Sequence, residues 1–118
     1  MKNICVYCAS SSKIDSKYVD SAKKLGHLLA ENSMQLVYGG GSVGLMGILA
    51  DSVLEKGGKV TGIIPQFMVE AEWHHEGLTE LVLTETMHER KEKMASMSDA
   101  AVALPGGCGT LEELLESI

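Results

Sequence analysis

The chain has no long apolar run, no excess of basic residues and no framework of paired cysteines. No segment approaches the apolar length that a membrane span requires, and no signal-peptide pattern precedes the first apolar run. A net charge of -6 leaves no basic patch to displace counterions from a phosphate backbone, which argues against nonspecific nucleic-acid binding. Three cysteines without regular spacing fit a reducing compartment. We therefore expect a cytoplasmic protein with neither membrane nor nucleic-acid partners.

The sequence instead alternates short apolar runs with amphipathic segments over 118 residues, enough for one domain spanning 1–118. This alternation predicts an α/β fold, a Rossmann-like doubly wound parallel sheet with helices on both faces. The predicted strands are 4–8, 35–38, 59–64, 81–83 and 100–104, and the predicted helices are 16–31, 45–55, 87–97 and 110 onward. A short helix fits within 66–77. The last helix still runs at Ile118, so we expect a C-terminally truncated domain with further elements beyond it.

A first glycine loop, residues 39–44, follows a predicted strand and precedes a predicted helix. Such a turn lets the backbone approach an anion closely beside the unpaired N–H groups of a helix N-terminus. The loop formally satisfies G-x-G-x-x-G, but the next strand ends without the acidic residue that a nicotinamide cofactor requires, and no Gly-Lys-Ser/Thr follows. We therefore expect Gly40, Gly41 and Ser42 to contact a mononucleotide. A tight turn without a ligand is the alternative.

A second glycine loop, P-G-G-C-G-T-L-E-E at 105–113, follows the last predicted strand. Its position at the carboxyl edge of a parallel sheet favours phosphate binding. Thr110 and Glu113 also have the spacing of a capping box, in which each side chain bonds to the backbone N–H of the other. The other interpretation places the Glu113 carboxylate beside the phosphate loop, facing the ligand. The spacing is compatible with both.

Arg90 lies on the apolar stripe that Met87, Met94 and Met97 form along the predicted helix 87–97. An arginine on an inward face either extends its head group to water while its stem covers the core, or meets an anionic partner. In the second case the guanidinium would face a ligand phosphate or a catalytic carboxylate.

The segment Trp73-His74-His75 carries two adjacent imidazoles. No third and fourth ligand stands at a convincing spacing for a metal ion, so we expect neither a metal nor a cofactor. A loop that contacts a ligand or an interface is the favoured interpretation.

Together these residues resemble the LONELY GUY (LOG) family of cytokinin riboside 5′-monophosphate phosphoribohydrolases, which are often mislabelled as lysine decarboxylases. The family signature P-G-G-x-G-T-x-x-E is complete at 105–113, and its second element, M-x-x-R-K, is complete at 87–91. The resemblance also covers 5–11 and 37–47 and extends over essentially the whole chain in the family's order. It implies hydrolysis of the N-glycosidic bond of a nucleoside 5′-monophosphate, a cytokinin riboside monophosphate or AMP, to free base and ribose 5-phosphate.

The resemblance also implies roles for individual residues and predicts a homodimer. Arg90 and Glu113 would be the catalytic pair, and the substrate would contact Glu72, Lys91, Gly107, Cys108, Gly109, Thr110, Leu111 and Glu112. Breaking a ribosyl C–N bond builds positive charge on the sugar, which a fixed carboxylate can stabilise. A non-catalytic nucleotide-binding or carrier module of the same architecture is the alternative, since fold and phosphate binding do not dictate turnover.

Overall fold

The fold is known from a computed structural model that describes residues 2–7, 16–42, 44–70 and 74–103. Strands and helices alternate along these residues. In chain order they are β1 (Asn3–Tyr7), α1 (Ser16–Glu31), β2 (Gln35–Tyr38), α2 (Gly44–Glu55), β3 (Val60–Pro65), α3 (Gln66–Glu70), β4 (Glu80–Thr84), α4 (Met87–Ser96) and β5 (Ala100–Ala103). The predicted elements are confirmed to within one or two residues at their described ends. The helix predicted from 110 onward lies outside the described residues.

The five strands form one sheet in the order β4-β3-β2-β1-β5, and every pairing between them is parallel. From β1 the chain adds strands outward to β4, and β5 then returns to the opposite side of β1. Parallel neighbours require crossover connections, which here contain helices. Because the winding reverses at β1, the carboxyl ends of β1 and β5 form the topological switch point, where ligands bind in such sheets.

The central strands are buried on both faces because their side chains alternate between two apolar clusters. In β2, Leu36 and Tyr38 pack into a cluster with α1 and α2, whereas Val37 faces the opposite side, towards Met94 of α4. β1 divides its side chains in the same way. Helices therefore cover both faces of the sheet, and the predicted doubly wound architecture is confirmed.

Helix α4 carries the Arg90 motif and begins with a well-defined cap. Thr86 is extended at the N-cap position, and its hydroxyl accepts a hydrogen bond of 3.0 Å from the backbone N–H of Glu89. Met94 is buried and Met97 packs beside it, as the stripe predicts. Met87, in the first turn, lies on the same side of α4, since its sulfur is 3.8 Å from Nη1 of Arg90, but it is 37% exposed.

Within the described ranges, no helix has both the length and the apolar character to cross a membrane.

Candidate active site

The glycine turn after β2, Gly39-Gly40-Gly41, is shaped by contacts that exclude larger residues. Gly40 has φ of 78°, a conformation that favours glycine, and the hydroxyl of Tyr38 donates to the carbonyl of Gly41 at 2.8 Å. A β-carbon on Gly39 would collide with the guanidinium of Arg90. The backbone is therefore fixed in place, with the cation packed directly against it.

Arg90 contacts this turn from α4, which packs on one face of the sheet. Its Nε donates to the carbonyl oxygen of Ile63 at 2.9 Å, and its Nη2 donates to the carbonyl oxygen of Gly39 at 2.5 Å. Tyr38, the last residue of β2, pairs with Gly62 of β3, and the residue that follows each of them supplies one of these acceptors. One planar guanidinium thus bridges two adjacent strands near their carboxyl ends.

The burial of Arg90 decides between the two interpretations of its sequence position. Only 6% of the residue is exposed, so the head group does not extend to water and the first interpretation is wrong. The two carbonyl oxygens that accept from it carry partial negative charge, and its Nη1 lies 3.8 Å from the sulfur of Met87. Little water is present to screen this buried cation, so it interacts strongly with an anion at this edge. The arrangement suits a ligand phosphate or a carboxylate at this edge.

The segment 74–77 lies against the same glycine turn, which the spacing of its residues in the sequence did not reveal. His74 forms an isolated antiparallel bridge with Gly41, and the backbone N–H of His75 donates to the carbonyl of Gly40 at 2.9 Å. The predicted ligand-contacting loop is thereby brought next to two predicted ligand contacts. Within the described part of the chain, no group of three or more His, Cys, Asp or Glu residues could hold a metal ion.

His75 is held by its side chain as well as by its backbone. Its Nε2 lies 2.6 Å from Oδ1 of Asp51 on α2, and its Nδ1 accepts from the backbone N–H of Gly77 at 2.9 Å. Sequence reasoning missed this pair. Asp51 occupies an exposed helix position 24 residues earlier, and nothing in the local pattern distinguishes it from other surface carboxylates.

The remaining predicted site residues divide into two groups. Lys91 is half-buried, and because successive helix residues point about 100° apart, its side chain leaves α4 in a different direction from Arg90. Ser42 is exposed beside the glycine turn. The other group lies outside the described residues and comprises Glu72, Gly107, Cys108, Gly109, Thr110, Leu111, Glu112 and Glu113. β5 ends at Ala103 at the same sheet edge, and the sequence of the second glycine loop begins two residues later.

Residues 46–118 match the family model described as "Possible lysine decarboxylase". The chain belongs to this family. It is also 49% identical over 117 residues to the cytokinin riboside 5′-monophosphate phosphoribohydrolase LOG2 of Arabidopsis thaliana, a match that covers 99% of this chain and 55% of LOG2. The resemblance to the LOG family is therefore confirmed, and the chain spans about half the length of the curated relatives it matches.

Solved structures support the fold. The X-ray structure of TM1055, a structural-genomics target, superposes with a TM-score of 0.83 at 29% identity, covering 99% of this chain and 68% of that one. The molybdenum cofactor carrier protein of Chlamydomonas reinhardtii superposes with a TM-score of 0.84 at 23% identity, covering 98% of this chain and 70% of that one. At that identity, the second likeness concerns the fold alone.

Proposed function

We propose that the protein hydrolyses the N-glycosidic bond of a nucleoside 5′-monophosphate, a cytokinin riboside monophosphate or AMP, and releases the free base and ribose 5-phosphate. The observation that carries the proposal is the buried guanidinium of Arg90 against the Gly39 carbonyl, at the edge where the second glycine loop begins. A cation beside glycine-rich backbone suits a phosphorylated substrate. The names of the relatives, phosphoribohydrolases of cytokinin riboside monophosphates, agree with this substrate class.

In this reaction the C1′–N bond breaks, water adds to C1′ and the leaving base gains a proton. Positive charge develops on the sugar as the bond lengthens, so the carboxylate of Glu113 would stabilise that charge and orient the water. Phosphate held on the glycine loop would serve as a remote handle, whose binding energy positions the sugar. Arg90 would orient Glu113 or bind sugar and phosphate oxygens.

The description of the family model suggests a different reaction, lysine decarboxylation. Pyridoxal-dependent decarboxylation needs a lysine that forms a Schiff base in a sheltered pocket. Of the lysine side chains that the structure describes, only Lys91 is even half-buried, and it follows Arg90 directly. We therefore favour hydrolysis, which uses the arginine and the glycine turn together.

A direct test incubates the full-length protein with AMP and, separately, with isopentenyladenosine monophosphate, and measures free base by chromatography. Base release above background with either nucleotide supports hydrolysis. Binding of AMP without release would favour the alternative, a nucleotide-binding or carrier module. The fold does not distinguish the two, since it is shared with a cofactor carrier.

We further propose that the protein acts as a homodimer on this small substrate in the cytoplasm. The large apolar side chains that the described surface exposes include Phe67 and Leu83, which a subunit contact would cover. Analytical ultracentrifugation of the full-length protein at micromolar concentration should give twice the monomer mass. A monomer would contradict the assembly without affecting the reaction.

A further inference from the structure

The pair formed by His75 and Asp51 links a loop to the body of the fold. The His75 side chain is 14% exposed, whereas that of Asp51 is 70% exposed, so the imidazole is covered and the carboxylate is at the surface. Because Nδ1 of His75 accepts from the N–H of Gly77, the proton of a neutral ring is on Nε2. Nε2–H therefore donates to Asp51, and one tautomer satisfies both hydrogen bonds.

The same residue also ties the loop to the glycine turn. The backbone N–H of His75 donates to the Gly40 carbonyl, while Asp51 belongs to α2, the helix that follows that turn. The Nδ1 atom of the neighbouring His74 is buried and has no hydrogen-bond partner among the described residues, whereas both ring nitrogens of His75 are bonded. The polar links between segment 74–77 and the β2–α2 unit therefore include both the side chain and the backbone of His75.

The segment 74–77 lies against Gly40 and Gly41, two of the residues that we expect to contact the substrate. Fixing His75 on the glycine turn keeps this backbone ordered before a nucleotide binds there. If the segment were released, the turn and the segment would have to be ordered at the moment of binding, at an entropic cost.

We propose that His75 is a positioning residue for the substrate site: together with Asp51, it holds the segment 74–77 against the glycine turn and so keeps Gly40 and Gly41 in place for the substrate. This proposal rests on the hydrolysis proposed above for its kinetic consequence, but the tether itself can be measured without any turnover. Loss of the tether weakens substrate binding and leaves the chemical step unaltered, so it raises KM and not kcat.

Helix α2 offers a matched pair of variants. Asp51 and Glu55 are both exposed carboxylates on α2, and each bonds to a histidine, His75 and His27 respectively. Asp51→Ala and Glu55→Ala change the net charge equally, and alanine preserves the helix.

For Asp51→Ala we expect KM for AMP to rise about five- to tenfold, the scale of one charge-assisted hydrogen bond, with kcat within about twofold of wild type. Glu55→Ala should leave both constants at the wild-type values. Equal KM values for the two variants would overturn the proposal.

Substitutions at His75 separate its two side-chain bonds. His75→Gln can place an amide nitrogen near the position of Nε2 and retain the donor to Asp51, whereas His75→Asn places its amide near Nδ1 and cannot reach Asp51. We expect KM of the Asn variant to match that of Asp51→Ala, and KM of the Gln variant to lie closer to wild type. The double variant His75→Asn/Asp51→Ala should have the same KM as either single variant, since both substitutions remove the same hydrogen bond. The tether would be contradicted if the increases in KM multiplied in the double variant, or if KM were higher in the Gln variant than in the Asn variant.

Hydrogen exchange provides the readout that is independent of activity. The amide of His75 is hydrogen-bonded to Gly40, so it should exchange about tenfold faster in Asp51→Ala and at the wild-type rate in Glu55→Ala. If the wild-type protein releases no base but this exchange responds, the proposed hydrolysis fails and the tether stands. If base is released but neither KM nor exchange responds to Asp51→Ala, the tether fails and the hydrolysis stands.

Discussion

The guanidinium of Arg90 occupies the space that a β-carbon on Gly39 would need, and its Nη2 donates to the carbonyl oxygen of the same residue at 2.5 Å. A side chain on α4 and a backbone position after β2, 51 residues apart in the chain, are therefore fitted to each other. Two motifs that stand apart in the sequence, the glycine turn and M-x-x-R-K, form one site. A substitution at Arg90 should therefore disturb the glycine turn, and a substitution at Gly39 should displace the guanidinium.

Arg90→Lys retains the charge but cannot bridge the carbonyls of Ile63 and Gly39 with the same geometry. We expect the free energy of unfolding to fall by about 1–3 kcal/mol, because a buried carbonyl loses its donor. Base release should fall at least ~100-fold. Urea unfolding and the chromatographic assay measure the two effects.

Lys93→Ala is the control, because Lys93 is an exposed residue on the same helix. It should change the free energy of unfolding by no more than about 0.5 kcal/mol and preserve activity. Wild-type activity in Arg90→Lys would show that the guanidinium has no role in the reaction.

Gly39→Ala should displace the guanidinium through direct collision. We expect a loss of unfolding free energy of about 1–3 kcal/mol, as for overpacking, together with weaker binding of AMP in calorimetry. Gly57→Ala is the matched control. Its φ of 75° strains an alanine by about 1–2 kcal/mol, but nothing lies within 4 Å of the added carbon. The control should lose stability and keep its affinity for AMP; equal affinity losses in both variants would contradict the assigned role of Gly39.

Glu113→Gln tests the proposed catalytic carboxylate, whose position lies outside the described residues. The amide keeps the size of the side chain but cannot stabilise positive charge on the sugar, so we expect base release to fall at least ~100-fold. AMP binding, measured by calorimetry, should change much less. Glu116→Gln, three residues later, removes the same charge and should behave as wild type. If Glu113→Gln lowers only stability, the capping-box interpretation of Thr110 and Glu113 is the correct one.

Thr86→Ala should remove the N-cap of the helix that carries Arg90. The hydroxyl of Thr86 accepts from the N–H of Glu89, and loss of such a cap costs about 1 kcal/mol of unfolding free energy. Thr86→Ser retains the acceptor and should lie within about 0.5 kcal/mol of wild type. Urea unfolding compares the three proteins. A serine variant as unstable as the alanine variant would indicate that the methyl group of Thr86, and not its hydroxyl, stabilises α4.

Local patterns in the sequence were sufficient for the elements and the fold class. The apolar run of β2 and the glycine pair Gly57-Gly58, which ends α2, act over a few residues, so their effect can be recognised without knowing the rest of the fold. The same reasoning placed Arg90 on the inward stripe of α4. It did not predict that Met87, on the same side of the helix, is 37% exposed, because the exposure of a side chain depends on what the rest of the fold packs over it.

The sequence by itself determined which family the chain resembles and predicted two phosphate-binding loops, since glycine loops and their flanking motifs are contiguous. Only the tertiary structure decided that the Arg90 head group turns inward to the carbonyls of Ile63 and Gly39, and that His75 bonds to Asp51. Both results depend on strand order and on the packing of helices across the sheet. Such contacts join residues distant in the chain, and no local spacing encodes them.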